Sequence, residues 1–507
     1  MHAVRSGSTL TRAAACISLL TTAAAVHAQP LELYVDDDAP AGGDGLSWQT
    51  AFRDLQDAME FPLPVGTSSR VLKIAAGVYV PGRGSAQRDS TFLVASGATL
   101  LGGFAGIESA EPNARDPLAY LSVLSGDLAG DDGPAFINRG DNAFHVVTTK
   151  GDLNVLDGLV IRGGFASEQN PWNMGGGVLV GVASGWLPLT IRGCTIEDNQ
   201  AANGGGIGTL GGSVLIERST LHRNIALNFG GAAYLHGADI RASRFIGNAA
   251  GDGGGAVFNT ISLVRVVNTE FNENSAPGGG AIYGWLGRTD VANCTFAGNS
   301  ALSGHSVKIN AGSLHTRIWA SIFTGAATAP HLASSGGGWY AIASSIVERG
   351  VSPELLASGA TFAGFGNLDA SPRFADPLGP DGVVGTTDDD LRLRQNSIAI
   401  DAAWLEAATF PGLMHGLDLA SLPRVHDDPG MPNIGIGANG ALDIGAYEFQ
   451  GTSCRADHDG DTAISVPDIF SYLSDWFAQR LESDFDRDRS VEVDDLFHWL
   501  AAWFAGC

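Results

Sequence analysis

Positive charge is what this 507-residue chain most lacks: Lys and Arg number 29 against 54 Asp and Glu, a formal charge of −25, or −27 without Arg5 and Arg12 of the first segment. That balance disfavours nucleic acid and acidic membranes and favours divalent cations. Charge of either sign is sparse, at 16% of residues, while glycine is abundant, at 69; compact globules usually show the reverse. Beyond the N-terminal segment no apolar run reaches the about 18 residues that span a bilayer, and no C-terminal series of amphipathic barrel strands is visible. Cysteine is scarce, at five. Cys194 and Cys294 share a repeat column four coils apart, too far to bridge at about 4.8 Å per coil and a Cα limit of about 7 Å; they read as small core residues.

Against these absences stands a repeat. Asn199, Asn224, Asn248, Asn274 and Asn299 are spaced 25, 24, 26 and 25 residues apart, the period of a solenoid. Eight places before each Asn come Ile191, Ile216, Ile240, Val266 and Val291; three places before come Ile196, Leu221, Phe245, Phe271 and Phe296. Five places before, only small side chains occur: Cys194, Ser219, Ser243, Thr269 and Cys294. Glycine clusters follow at Gly204 to Gly206, Gly230 to Gly231, Gly253 to Gly255 and Gly278 to Gly280, with an earlier one at Gly175 to Gly177. Short apolar runs between Gly-rich corners are strands and turns. No Lys-Ser/Thr follows the glycines, so a phosphate cradle is disfavoured.

Coils of this length stack as a parallel β-helix, with glycine taking positive φ at the corners and the Asn amides donating one to the next. Outward columns alternate in sign: Arg192, Glu217 and Arg241 in one, Arg244 beside Glu270, Asp198 beside Arg223. These read as cross-strand surface pairs worth roughly 0.2–1 kcal/mol each. Leu33 to Val35 and Val71 to Ile74 read as strands, and Ser47 to Met59, with Trp48, Phe52, Leu55 and Met59 at helical spacing, as an amphipathic helix plugging the open end.

Export is indicated by Met1 to Ala28, where the two arginines precede an apolar stretch from Ala13 to Val26 and the small-residue pattern Val26-His27-Ala28 before Gln29, a secretory signal. Cys454 and Cys507 bracket the last segment, and a disulfide between them is compatible with export.

The segment YVDDDAPAGGDGLSWQTAFRDLQDAM, then IAAGVYVPG and LLGGFAGIE, resembles the entry region of bacterial secreted right-handed parallel β-helix proteins with a pectin-lyase-like fold. Coils of the form FxxNxAxxGGGAI resemble those of polymorphic outer-membrane proteins. DPLGPDGVVGTTDDDLRL, NSIAIDAA and DIGAYEFQ then appear in the order that closes many surface-displayed members of that group. Asp381 with Asp388, Asp389 and Asp390 reads equally as a Ca2+ turn or a solvated acidic turn.

Residues 457 to 504 hold a second repeat, DHDGDTAISVPDIFSYLSDWFA and DFDRDRSVEVDDLFHWLAAWFA, offset by 27 residues. Acidic residues stand at loop positions 1, 3, 5 and 12: Asp457, Asp459, Asp461 and Asp468, then Asp484, Asp486, Asp488 and Asp495. Ca2+ takes roughly six to eight hard oxygens, which such a loop supplies together with the position 7 carbonyls of Ala463 and Ser490; Ser465 and Glu492 fall at position 9. Position 6, usually Gly, is Thr462 or Arg489. Apolar stripes of Ile469, Leu473, Trp476 and Phe477, and of Leu496, Trp499, Leu500 and Phe504, follow on helices. The segment resembles a dockerin, a duplicated calcium-loop and helix module that attaches secreted enzymes to cohesins, and its Gly506-Cys507 end is similar to a tail on exported planctomycete proteins. With so few residues, metal should help hold it together.

The expected organisation is a signal peptide (1–28), an N-terminal cap and first coils (29–140), β-helix repeats (141–350), C-terminal coils and cap (351–450) and a dockerin-like calcium-binding domain (451–507). The fold class is mainly β, a right-handed parallel β-helix with a small α-helical end. The function that follows is an exported, calcium-binding surface or extracellular protein, displaying a solenoid suited to adhesion or to glycan or partner contact. The alternative is a polysaccharide lyase or glycoside hydrolase acting on extracellular polysaccharide. A lyase needs Ca2+ and a nearby base, and a hydrolase needs carboxylates about 5–9.5 Å apart. Asp239, Asp252, Glu270 and Glu273 with Arg265 or Lys308 are the candidates. Trp172, Trp186, Trp285, Trp319, Trp339 and Tyr340 offer sugar-stacking surfaces if they cluster on one face.

Overall fold

The computed structural model describes residues 29–506 apart from 84–86, 167–172, 182–188, 311–314, 326–329, 351–359, 405–415 and 436–440, and the backbone alone of 360–362. The expected signal segment, Trp172, Trp186 and Cys507 lie outside the described residues.

Three long parallel sheets run the length of a β-helix. Among the described residues sheet 1 has twelve strands, from Leu31–Val35 to Ala360–Phe365; sheet 2 has ten, from Gly77–Tyr79 to Ile346–Val347; sheet 3 has nine, from Phe92–Val94 to Leu332–Ser335. In each sheet strands follow one another in chain order, as only stacked coils allow. One coil reads Leu189–Arg192 in sheet 1, Thr195–Glu197 in sheet 2, Gln200–Asn203 in a short fourth sheet and Ile207–Thr209 in sheet 3. The next coil pairs with it in parallel, Ile191 against Ile216 and Ile196 against Leu221.

The apolar columns face inward as the period requires. Ile191, Ile216, Ile240, Val266 and Val291 are all fully buried, as are Ile196, Leu221, Phe245, Phe271 and Phe296. The phenyl rings of Phe245, Phe271, Phe296 and Phe323 stack at 5.0, 4.7 and 4.7 Å. Two hydrogen-bonded ladders fix the corners. Asn224 Nδ2 donates to Asn248 Oδ1 at 3.0 Å and to Ile196 O at 2.8 Å, while Asn248 Oδ1 also accepts the Asn224 backbone N–H at 3.0 Å. The amides of Asn199, Asn224, Asn248 and Asn274 each tie three coils together. The column of small side chains is a second ladder: the Ser219 N–H donates to Ser243 Oγ at 3.2 Å, and Ser219 Oγ donates to Glu217 O at 2.9 Å.

The corners depart from the expectation about glycine. Residues just before the ladder side chains have left-handed backbones and are mostly not glycine: Arg218 (φ 48°), Ala242 (45°) and Asn268 (48°) in one column, Asp198 (53°), Arg223 (53°) and Glu273 (52°) in the other. The ladder hydrogen bonds offset the about 1–2 kcal/mol that such a backbone costs an L-residue. Glycine is indispensable at the third corner, where a Cβ on Gly255 would lie 2.1 Å from Gly280 O.

The N-terminal plug is also more broken than its spacing suggests. A single 3-10 turn, Trp48–Thr50, precedes an α-helix, α1 (Leu55–Glu60). Between them Phe52 exchanges backbone hydrogen bonds with the strand at Tyr34 and Asp36, and Asp54 caps α1 through Gln56 N–H at 2.7 Å. Edge pairing and capping thus interrupt the helix, while Leu55 and Ala58 still close the core.

After the last coil an irregular segment folds back over sheet 2. Its own core is built on Ile398, Ala399, Ile400, Leu442 and Ile444 against Ile322 and Ile346. Along sheet 2, Ala446 N–H donates to Thr295 Oγ1 (3.0 Å), Tyr447 Oη to Glu270 Oε2 (2.6 Å), and Arg244 to Thr387 O (2.9 Å). Two helices end the chain, α2 (Val466–Phe477) and α3 (Val493–Ala505). Among the described residues no helix is long and apolar enough to cross a membrane.

Candidate functional site

The two acidic loops that precede α2 and α3 share five equivalent hydrogen bonds. They differ at position 1, where Asp457 Oδ1 accepts Asp461 N–H at 3.1 Å and Asp484 Oδ1 has no counterpart bond among the described residues. Asp457 Oδ2 accepts Thr462 N–H at 2.8 Å and Asp484 Oδ2 accepts Arg489 N–H at 2.7 Å. Asp461 N–H and Asp488 N–H donate to Asp459 and Asp486, both at 3.2 Å; Ala463 N–H and Ser490 N–H donate to Asp461 and Asp488, both at 2.8 Å. The position 12 carboxylates close each turn: Asp468 accepts Asp459 N–H (3.1 Å) and Ser465 N–H (2.7 Å), and Asp495 accepts Asp486 N–H (3.2 Å) and Glu492 N–H (2.7 Å). Ser465 and Glu492, expected as position 9 donors, are the N-cap residues of α2 and α3. Thr462 and Arg489 sit at φ 74° and 79°, the left-handed backbone that makes glycine usual at position 6.

Carboxylate oxygens of Asp457, Asp459 and Asp468 lie within 4.8 Å of one another, and so do those of Asp484, Asp486 and Asp488. Burial pushes Asp484 up to about 6 and Asp459 up from the ordinary aspartate range. Asp484 Oδ1 is buried without a hydrogen-bond partner among the described residues. An all-oxygen donor set with one buried orphan oxygen fits a hard cation such as Ca2+.

The helix stripes are placed differently from expectation. Trp499 is fully buried, stacked on Tyr472 at 4.3 Å, but Phe477 and Phe504 point to solvent at 74% and 78% exposure. They join Val466, Phe470, Val493 and Phe497, all exposed, so equivalent apolar residues of the two repeats face outward. Cys454 is disulfide-bonded; Cys507, its expected partner, lies outside the described residues.

The candidate hydrolytic residues do not converge. Asp239 pairs with Arg241 and Arg265 on sheet 1, Glu270 is buried under Tyr447 on sheet 2, and Lys308 lies over the Tyr283 ring on sheet 3, 5.3 Å from its centroid. Asp252 is exposed at a corner, and Glu273 is shifted up by burial. Asp381, Asp388 and Asp389 do come together, but Asp389 already accepts Asn272 Nδ2 and Gly385 N–H, both at 2.7 Å. The named aromatics scatter: Trp285 is exposed by sheet 3, Tyr340 is in the core, and Trp319 and Trp339 lie on sheet 1.

One grouping had no sequence signal. A polar cavity of about 360 Å³ opens beside sheet 2, lined by Asp127, Asp132, Arg139, Arg162 and Asp198, with Asp127, Asp131 and Asp141 mutually within 4.8 Å. Next to it Glu197 is held below the usual glutamate range by its hydrogen bond to His222 at 2.6 Å.

Comparisons with known proteins bear on the solenoid. Residues 268–284 match the Chlamydia polymorphic membrane protein repeat, and no curated protein matches the chain. Among solved structures, the crystal structure of pectate lyase Pel9A is similar, with a TM-score of 0.39 and 12% identity over 82% of this chain and 96% of that chain.

Proposed function

We propose that the protein is an exported, calcium-binding surface or extracellular protein, whose β-helix displays its faces to glycans or partner proteins and whose dockerin-like end, residues 451–507, sorts or attaches it. The observation that carries this reading is the pair of acidic loops with equivalent turn hydrogen bonds, and Asp484 Oδ1 buried and unpartnered in the second. The duplicated apolar residues on α2 and α3 are available to a cohesin-like or other attachment partner. The chlamydial membrane-protein repeat within the solenoid agrees with surface display.

Titration of Ca2+ into the full chain tests the reading. Binding is expected for the native chain, with one class of site lost in Asp457→Asn and the other in Asp484→Asn; no binding heat and no competition with a calcium dye would dismiss it.

A second reading is a polysaccharide lyase or glycoside hydrolase. The cavity beside sheet 2 favours it, because Asp127, Asp131 and Asp141 could hold a cation next to Arg139 and Arg162, and a lyase needs a cation beside a base. Incubation with uronic-acid and neutral polysaccharides in calcium, scoring retention and cleavage, separates the two. Retention alone supports display; release of unsaturated oligosaccharides supports a lyase.

A further inference from the structure

The acidic loops are also the surface by which the helical end grips the solenoid. In the first loop, Asn396 Nδ2 donates to the carbonyls of Cys454 and Asp457, both at 2.6 Å, and Gln395 Nε2 donates to Asp457 Oδ2. Arg373 donates to His458 O at 3.0 Å and to Asp475 Oδ2 at 2.8 Å. In the second loop Arg487, only 7% exposed, enters the solenoid's C-terminal cap. Its guanidinium donates to Ile398 O (2.6 Å), Ile400 O (2.9 Å) and Pro432 O (2.8 Å).

These docking groups occupy loop positions 1, 2 and 4, interleaved with the carboxylates at positions 1, 3 and 5. One stretch of backbone therefore carries both the ligand carboxylates and the docking groups, and Asp457 belongs to both. Without a cation, three carboxylates within 4.8 Å repel one another, and any opening of the loop displaces His458 O from the Arg373 guanidinium and Arg487 from its carbonyl partners. Arg487 cannot leave cheaply, because a buried guanidinium without its acceptors, or the acceptors without it, is strongly disfavoured.

We propose that cation binding and docking of the helical end onto the solenoid cap are one linked equilibrium, with Arg487 and Arg373 as the coupling residues. The proposal rests on the calcium reading above. Linkage is reciprocal: whatever calcium does for docking, docking does for calcium. The consequence is directional. With calcium the exposed faces of α2 and α3 are held at a fixed angle to the β-helix; without it they hang on a tether.

The test uses the full chain as wild type, Arg487→Met and Arg373→Met, each titrated with Ca2+ and each followed by hydrogen exchange with and without EDTA. Expected is about 5- to 150-fold weaker calcium binding at the second site in Arg487→Met and at the first site in Arg373→Met. In the wild type, EDTA is expected to speed exchange in the cap peptides 395–401 as well as in the loops. Unchanged exchange within α2 and α3, around the stacked Tyr472 and Trp499, shows that the helical end of each variant is folded, and the second variant serves if the first is not. Calcium affinity equal to wild type in a folded variant, with exchange at 395–401 indifferent to EDTA, overturns the coupling while leaving calcium binding intact. Absence of calcium binding in the wild type overturns both.

Discussion

Replacing Asn248 by Ala asks the ladder to do without one rung. Asn248 is fully buried; its Nδ2 donates to Leu221 O at 2.8 Å and to Asn274 Oδ1 at 2.9 Å, and its Oδ1 accepts the N–H and Nδ2 of Asn224, both at 3.0 Å. Asn274 Oδ1 keeps the backbone N–H of residue 248, at 3.1 Å, so it is not stranded. One group is: the backbone N–H of Asn224, since the carbonyl of Leu221 sits within the parallel strand pairing with Phe245 and its neighbours. At about 1–3 kcal/mol for a buried unsatisfied group, the loss is about 1–3 kcal/mol. Asn248→Asp should cost more, since a carboxylate cannot donate to Leu221 O and brings a buried charge. Solenoids need not unfold in one step, so the local reading is decisive: hydrogen exchange at the Asn224 amide should accelerate in Asn248→Ala, with a lower urea midpoint for the repeats. A change below about 0.5 kcal/mol, the range of a neutral surface substitution, with Asn224 still protected, would refute the ladder's role.

Two further outcomes follow from burial. Trp499→Ala should lower the stability of the helical end by about 3–5 kcal/mol, whereas Phe470→Ala should stay within about 0.5 kcal/mol; differential scanning calorimetry of the full chain separates them, and equal effects would contradict the outward placement of Phe470. In the cap, burial pushes Asp401 up to about 6, so the native state holds a proton that the unfolded chain releases near 3.9. Its stabilising contribution is complete below about 4 and lost as pH rises through about 6. Urea midpoints between pH 4 and 7, calcium absent, should show that fall in the wild type and a smaller one in Asp401→Asn; identical profiles would contradict it.

The period of the Asn residues determined the β-helix, its inward columns and its ladder, because one coil per period brings like residues within a strand spacing of one another. The 27-residue offset likewise marked two acidic turns, but the carboxylates that gather differ: Asp468 of position 12 joins the first group and Asp488 of position 5 the second. What period cannot encode is a choice between two near neighbours or a contact across unrelated segments. Arg192 lies in register with both Asp157 and Glu217, and takes Asp157 at 2.6 Å; Arg241 turns to Asp239 of its own strand. The return of residues 387 and 446–447 over sheet 2 and the cavity beside Arg139 join segments with no shared spacing. So does the seating of Arg487 on the cap. Phe477 and Phe504 satisfy the helical stripe yet face water, because Tyr472 and Trp499 already fill the narrow core beneath the two helices. Sequence thus settled which columns of consecutive coils lie over one another, and only the tertiary structure settled which neighbour a charge takes and the contacts between parts of the chain that no repeat relates.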